Sequence, residues 1–230
     1  MIIQRLELYT QVLTEQKNFY TRVLGMQMIG ETADSFTVQA GYTRLTFKQA
    51  NERNIYHFAF NIEENKWESA INYVKERTPL LSEGEDEVFH FEDWNAHACY
   101  FYDAGGNIVE FIARHNLVSQ SAGPFSIQDL TGISELGMPV EAVADIVQYC
   151  SNELDLAPWR GNGTTFQPVG DEHGLFIVAT VDRTWYPTQE EAEIAPFSIT
   201  IAGPSDRKVV IPGYPYEITT SSSPVSLSPH

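Results

Sequence analysis

The chain predicts an α+β fold of repeated βαβββ units whose curved mixed sheets wrap a cup. Three observations carry that prediction. A short strand, an amphipathic helix and β-rich sequence follow one another three times along the 230 residues. The offset from opening strand to helix is constant, with Arg5 to Phe19, His57 to Ile71 and Glu135 to Tyr149 each 14 residues apart. Each opening strand has one apolar face: Leu6 and Leu8, then Phe58 and Phe60, then Leu136 and Met138. The opposite faces carry Arg5, Glu7 and Tyr9, then His57, Ala59 and Asn61, then Glu135 and Gly137. Helices packed on the apolar faces would leave these residues lining a concave interior. A concavity with a few inward polar groups suits a small molecule.

In the first unit, Arg5–Thr10 reads as a strand and Val12–Leu24 as a helix, with Phe19, Tyr20, Val23 and Leu24 on one face and Gly25 at the C-cap. Met26–Gly30, Ser35–Ala40 and Arg44–Gln49 follow as strands. The second unit opens with His57–Ile62. Its helix, Glu63–Glu76, places Trp67, Ala70, Ile71 and Val74 at helical spacing, and a strand is expected at Glu87–Glu92. A polar link, Val118–Pro124, leads to the third unit, with a strand at Gly132–Val140, a helix at Glu141–Leu154 and a strand at Gly174–Thr180. Phe197–Ala202 and Lys208–Ile211 suggest a shortened fourth unit. The expected organisation is a paired βαβββ domain over 1–115, the third and fourth units over 125–218, and a polar, disordered tail over 219–230.

The composition is that of an ordinary globular protein, 43% hydrophobic and 12% aromatic, with no apolar run long enough to span a bilayer. The opening MIIQRLELYT shows no secretory pattern, and Cys99 and Cys150 match no zinc or redox spacing. A cytoplasmic protein with reduced thiols is expected. A formal net charge of −17 argues against nucleic acid and acidic membranes as partners. A small-molecule ligand and a homodimer are the expected associations, with units paired within one chain or between two.

The most informative segment is HACYFYDAGGNIVEFIAR, His97 to Arg114. Its Asp103–Asn107 cluster reads as a hairpin turn. In the second strand Val109, Phe111 and Ala113 alternate with Ile108, Glu110 and Ile112, so both faces are mostly apolar. A carboxylate among isoleucines needs a hydrogen-bond donor, a cation or a metal.

Together with the βαβββ repetition, FYTRVLGM at the end of the first helix and YDAGGNIVE resemble the vicinal oxygen chelate superfamily, with Ala104 where a proline is common. That group includes glyoxalases, extradiol dioxygenases, fosfomycin-resistance enzymes and bleomycin-binding proteins. The resemblance implies that two adjacent units close around a divalent metal, each able to give one ligand from its first strand and one from its last. His57 and Glu110 occupy those positions in the second unit. The first unit offers Arg5 and, near Leu45 and Thr46, no carboxylate. Imidazole and carboxylate suit iron, manganese, nickel or zinc. A histidine bonded to Glu110 with no metal is the plainer alternative.

Arg5 would repel a metal, or could pair with Glu110 and leave a metal-free cup for anionic ligands, or could bridge to Glu7 at the rim. Glu135 holds the first-strand position of the third unit, matched near Val178, and is expected to face a different cup. Tyr100 precedes Asp103 as a tyrosine does in the dioxygenase signature. Cys99 departs from that signature, His90 lies too far and His97 too near to supply its histidine, and a core role for Tyr100 is the plainer expectation. In VDRTWYPT, Arg183, Trp185 and Tyr186 could offer a stacking or anion-binding surface, against the plainer expectation of a loop packed on the third unit.

The expected function is metal-assisted chemistry on a small oxygenated metabolite, of glyoxalase-like lyase, isomerase or ring-cleaving dioxygenase type. His57 and Glu110 would hold the metal, Glu7, Tyr9 and Tyr100 are candidates for proton transfer, and Arg5 and Asn61 for substrate binding. The alternative is metal-free sequestration of an aromatic or anionic ligand, as in bleomycin-resistance proteins.

Overall fold

Strand alternation and helical spacing set the local structure, and a computed structural model describes residues 1–223. The first unit is β1 (Ile3–Thr10), α1 (Leu13–Asn18), which widens into a π-helical turn at Phe19–Val23, then β2 (Met28–Glu31), β3 (Ser35–Ala40) and β4 (Thr43–Gln49). Gly25, at φ 74°, ends the helical segment in the left-handed conformation a C-cap requires. The second unit is β5 (His57–Ile62), α2 (Trp67–Lys75), β6 (Phe89–Phe91), β7 (Ala96–Tyr102) and β8 (Ile108–Arg114). The third is β9 (Leu130–Val140), α3 (Val143–Leu154), β10 (Phe166–Asp171) and β11 (Gly174–Thr180), and the fourth is β12 (Phe197–Ala202), β13 (Arg207–Val210) and β14 (Tyr216–Ser221).

The units do not pair in chain order. One seven-stranded sheet runs β13-β14-β12-β1-β4-β3-β2, joining the fourth unit to the first, and the other runs β10-β11-β9-β5-β8-β7-β6, joining the third to the second. In both, opening strands meet antiparallel: Leu6 faces Ile199 across β1 and β12, and Phe58 faces Leu136 across β5 and β9. The expectation that the first two units share a cup is corrected. The cup that holds His57 is built from the second and third units of a single chain.

The apolar faces of both sheets and the three helices share one large core that includes Leu6, Leu8, Phe47, Phe58, Phe60, Leu136 and Met138. The sheets are tied where Thr43 Oγ1 donates to the Ile3 carbonyl (2.7 Å) and accepts from the Ile133 amide (2.9 Å). Gly41 comes so close to the Thr131 carbonyl that a Cβ would lie 2.1 Å from its oxygen. The hairpin turn is anchored from the first unit. Asp103 accepts hydrogen bonds from Tyr20 (2.8 Å), Asn107 and Gln16, while Asn107 Oδ1 receives the Tyr56 amide at 2.9 Å.

Two strands go beyond the sequence expectation. β10 contains Pro168 and Gly170, and it lies at a sheet edge, where a missing amide is tolerated. β14 extends through Thr219–Ser221, because pairing with β12 and β13 buries Tyr216, Ile218 and Thr220. The disordered tail expected from residue 219 therefore does not begin there, and residues 224–230 lie outside the described residues. No helix among the described residues is long and apolar enough to cross a membrane.

Candidate functional site

Strand parity brings the site together. On the second sheet the face opposite the main core carries a smaller apolar cluster, with Ala59, Ala98, Tyr100, Ile112, Ile177 and Trp185. His57 on β5, Glu110 on β8 and Glu135 on β9 project to this face. Each is buried, and they offer ligand atoms within 4.8 Å of one another. The register explains the convergence: Ala59 pairs with Glu110 on one side and with Glu135 on the other. His57 Nε2 lies 3.6 Å from Glu110 and 3.8 Å from Glu135. Glu135 thus faces the same cup as His57, contrary to the sequence expectation, because β5 and β9 are neighbours.

His57 Nδ1 lies 3.2 Å from the Ile108 carbonyl, which can only accept, so that nitrogen donates to it and Nε2 faces the two carboxylates. Burial, reinforced by the charge of Glu135, pushes the Glu110 carboxyl well above the usual range, opposed by Arg114 and by the neighbouring Tyr100 hydroxyl. Burial and the neighbouring carboxylates likewise push the Tyr100 phenol up. Glu135 is bound by Arg114, whose Nε donates to Asn61 Oδ1 at 3.2 Å, and whose guanidinium carbon lies 5.3 Å from the Trp94 ring centroid. Among the described residues Arg114 Nη1 has no hydrogen-bond partner.

The acids close one end of a cavity of about 310 Å³. Phe91, Trp94, Phe166, Trp185 and Tyr186 line it, together with Tyr100, Ile177 and Arg183. Trp185 packs closely on β9 where Gly137 has no side chain; a Cβ would meet its ring at 2.9 Å. Trp185 and Tyr186 therefore belong to the cavity wall, as does Arg183, which lies 4.2 Å over the Phe166 ring.

The other expected residues lie elsewhere. Arg5, Glu7 and Tyr9 are on β1 in the first sheet, away from His57. Arg5 is exposed and pairs with neither Glu110 nor Glu7; Glu7 instead binds Lys48 at 2.8 Å and accepts the Tyr9 hydroxyl at 3.2 Å. At the register positions that correspond to the acid site, the first sheet has Arg5, Thr46, Ser198 and Thr219, three hydroxyls and a cation. Asn61 acts behind the site: its Oδ1 holds Arg114 and its amide donates to the Glu172 carbonyl at 3.0 Å. In the third unit the position equivalent to Glu110 is Ile177, paired with Gly137; Val178 pairs with Met138 and faces the main core. Arg114 went unremarked in the sequence reading, yet it lies on the Glu110 face of β8 by parity, a basic residue in a run of isoleucines.

As a sequence, the chain matches no family profile and no curated protein. As a fold, it is similar to a candidate dioxygenase from Bacillus subtilis subsp. subtilis str. 168, with a TM-score of 0.63 at 13% identity over 97% of this chain and 86% of that one. It is also similar to glyoxalase I from Zea mays, with a TM-score of 0.56 at 11% identity over 95% of this chain and 91% of that one.

Proposed function

We propose that this chain, which has the fold of the vicinal oxygen chelate superfamily, is a divalent-metal-dependent enzyme acting on a small oxygenated metabolite, as a lyase, isomerase or dioxygenase. The observation that carries the reading is the convergence of His57, Glu110 and Glu135 at the closed end of an aromatic cavity. Glu110 and Glu135 crowd together beside His57 out of contact with solvent, an arrangement that a proton on Glu110 or a bound cation relieves, and Arg114 touches only Glu135 among the three. The donor set, one nitrogen and two carboxylates, suits manganese, iron, nickel or zinc. An imidazole that donates its far nitrogen to a backbone carbonyl has the supporting bond usual for a metal-bound histidine. His57, Glu110 and Glu135 would hold the ion, which supplies Lewis-acid polarisation of substrate oxygens when bound.

The chain's own residues do the rest. Arg114 and Asn61 fix the orientation of Glu135. Tyr100 lines the cavity beside Glu110 and would present its phenol to a bound ligand for proton transfer. The aromatic walls exclude water from the acid end. Ile177 offers no donor, which leaves room beside the three ligands for substrate oxygens. Binding without turnover is the second reading, favoured by Arg114, which already neutralises Glu135.

Elemental analysis of chelator-stripped protein, reloaded with each of the four metals, tests the proposal. Near-stoichiometric uptake is expected, lowered at least about tenfold in affinity by His57→Ala, Glu110→Gln or Glu135→Gln. Absence of uptake from all four metals overturns it.

A further inference from the structure

We infer that the cavity selects planar aromatic anions and that Arg183 receives the anionic group. The inference rests on the cavity being the substrate site and extends that reading to the class of ligand.

The cavity is polar in one direction. His57, Glu110 and Glu135 are 7%, 2% and 3% exposed at its closed end, whereas Arg183 and Tyr186 are open to solvent in part. Between them the walls are aromatic, and about 310 Å³ accommodates a ligand of one or two rings. The anionic group of a ligand finds an unpaired cation at Arg183, which is open to solvent in part, so the ligand is oriented with its rings against the aromatic walls and its anion outward.

Arg183 is built for that task. Its guanidinium carbon lies 4.2 Å over the Phe166 ring, and its N–H groups have no acceptor among the described residues, which leaves them for a carboxylate, sulfonate or phosphate. Lys17, Lys48, Lys75, Arg114, Arg207 and Lys208 all hold carboxylates at short range. Among the described residues Arg5, Arg22, Arg44, Arg160 and Arg183 have no carboxylate in ion-pairing range, and of these only Arg183 lines the cavity. Partial burial draws its pKa down, as expected for a cation with no counter-charge.

Its placement on the fold agrees. Arg183, Trp185 and Tyr186 ride on the segment between β11 and β12, outside the repeated strands. That segment is pinned over the cup by the Tyr186 hydroxyl, which donates to Glu83 at 2.8 Å, and by Trp185 seated on Gly137. Ligand choice is thus carried by a segment added to the repeated scaffold.

Calorimetric titration of the purified protein with 2-naphthoate and with 2-naphthamide, the same rings with and without charge, tests the inference. The expected result is naphthoate binding at least about tenfold tighter than the amide, with Arg183→Gln removing about tenfold for naphthoate and leaving the amide within about twofold. The amide affinity of the variant doubles as its control for folding. Equal affinities in the parent protein, equal weakening of both ligands by Arg183→Gln, or no binding of either overturns the inference. Metal content measured on the same samples separates the two readings. Charge discrimination by a protein that takes up no metal defeats the metalloenzyme alone, and stoichiometric metal without discrimination defeats the aromatic-anion site alone.

Discussion

Arg114 stands between two buried carboxylates and two tryptophan rings, so its loss is felt at both. Arg114→Met is expected to destabilise the metal-free protein by about 3 kcal/mol in urea unfolding, because it strands Glu135 without a partner. Adding Glu135→Gln to that variant should restore at least half of the loss, which a double-mutant cycle reads directly. Lys66 presents a second case, bound to Asp129 at 2.9 Å and to Glu63 at 3.4 Å with only 3% of its side chain exposed. Burial works against the Asp129 carboxylate, yet hydrogen bonds from Lys66 and Ser126 hold its pKa below the ordinary value. A depressed carboxyl stabilises the fold above its unfolded pKa and loses that contribution as pH falls through the folded value. Lys66→Met should cost about 2 kcal/mol near neutrality, and its melting temperature should approach that of the parent protein below about pH 4. A gap between the two proteins that stays constant with pH would contradict this.

Register decides what each element contributes. Because Gly137 faces Ile177 as Ala59 faces Glu110, Ile177→His places a fourth donor at the site, and chelator competition should show roughly tenfold tighter metal binding. Unchanged or weaker binding would mean that the two halves of the cup are not equivalent there. The same parity made much of the fold readable in advance: β5 and β11 have the expected bounds, and the constant offset from opening strand to helix is real. His57 and Glu110 were legible because a histidine and a glutamate on apolar strands demand partners. Glu135 was visible as an inward residue but was assigned to another cup, since sequence periodicity tells which face a residue takes and not which strand lies beside it. β10 was hidden by its proline and glycine, and β14 by threonines and serines that look like a tail until Tyr216 and Ile218 are seen to alternate. Arg183, Trp185 and Tyr186 sit on irregular chain without periodicity, and only the folded structure sets them over the cup.

The whole molecule is two intramolecular pairs, the second unit with the third and the first with the fourth. A fragment of residues 1–115 therefore lacks β9 beside β5 and β12 beside β1, leaving two opening strands with bare apolar edges. Such a fragment is expected to aggregate or to give a poorly dispersed amide NMR spectrum, and a well-dispersed spectrum of a monomer would contradict the pairing. The nesting also orders events in time. Every strand of the second sheet lies between His57 and Thr180, whereas Arg5, paired on one side with Arg44, finds its partner on the other side only at Thr200. Contacts so distant along the chain form slowly. On the ribosome, the sheet that carries the acid site can assemble while the first unit waits for the fourth to be synthesised. The segment bearing Arg183 emerges between those two stages, so the cup has its strands before it has its cover.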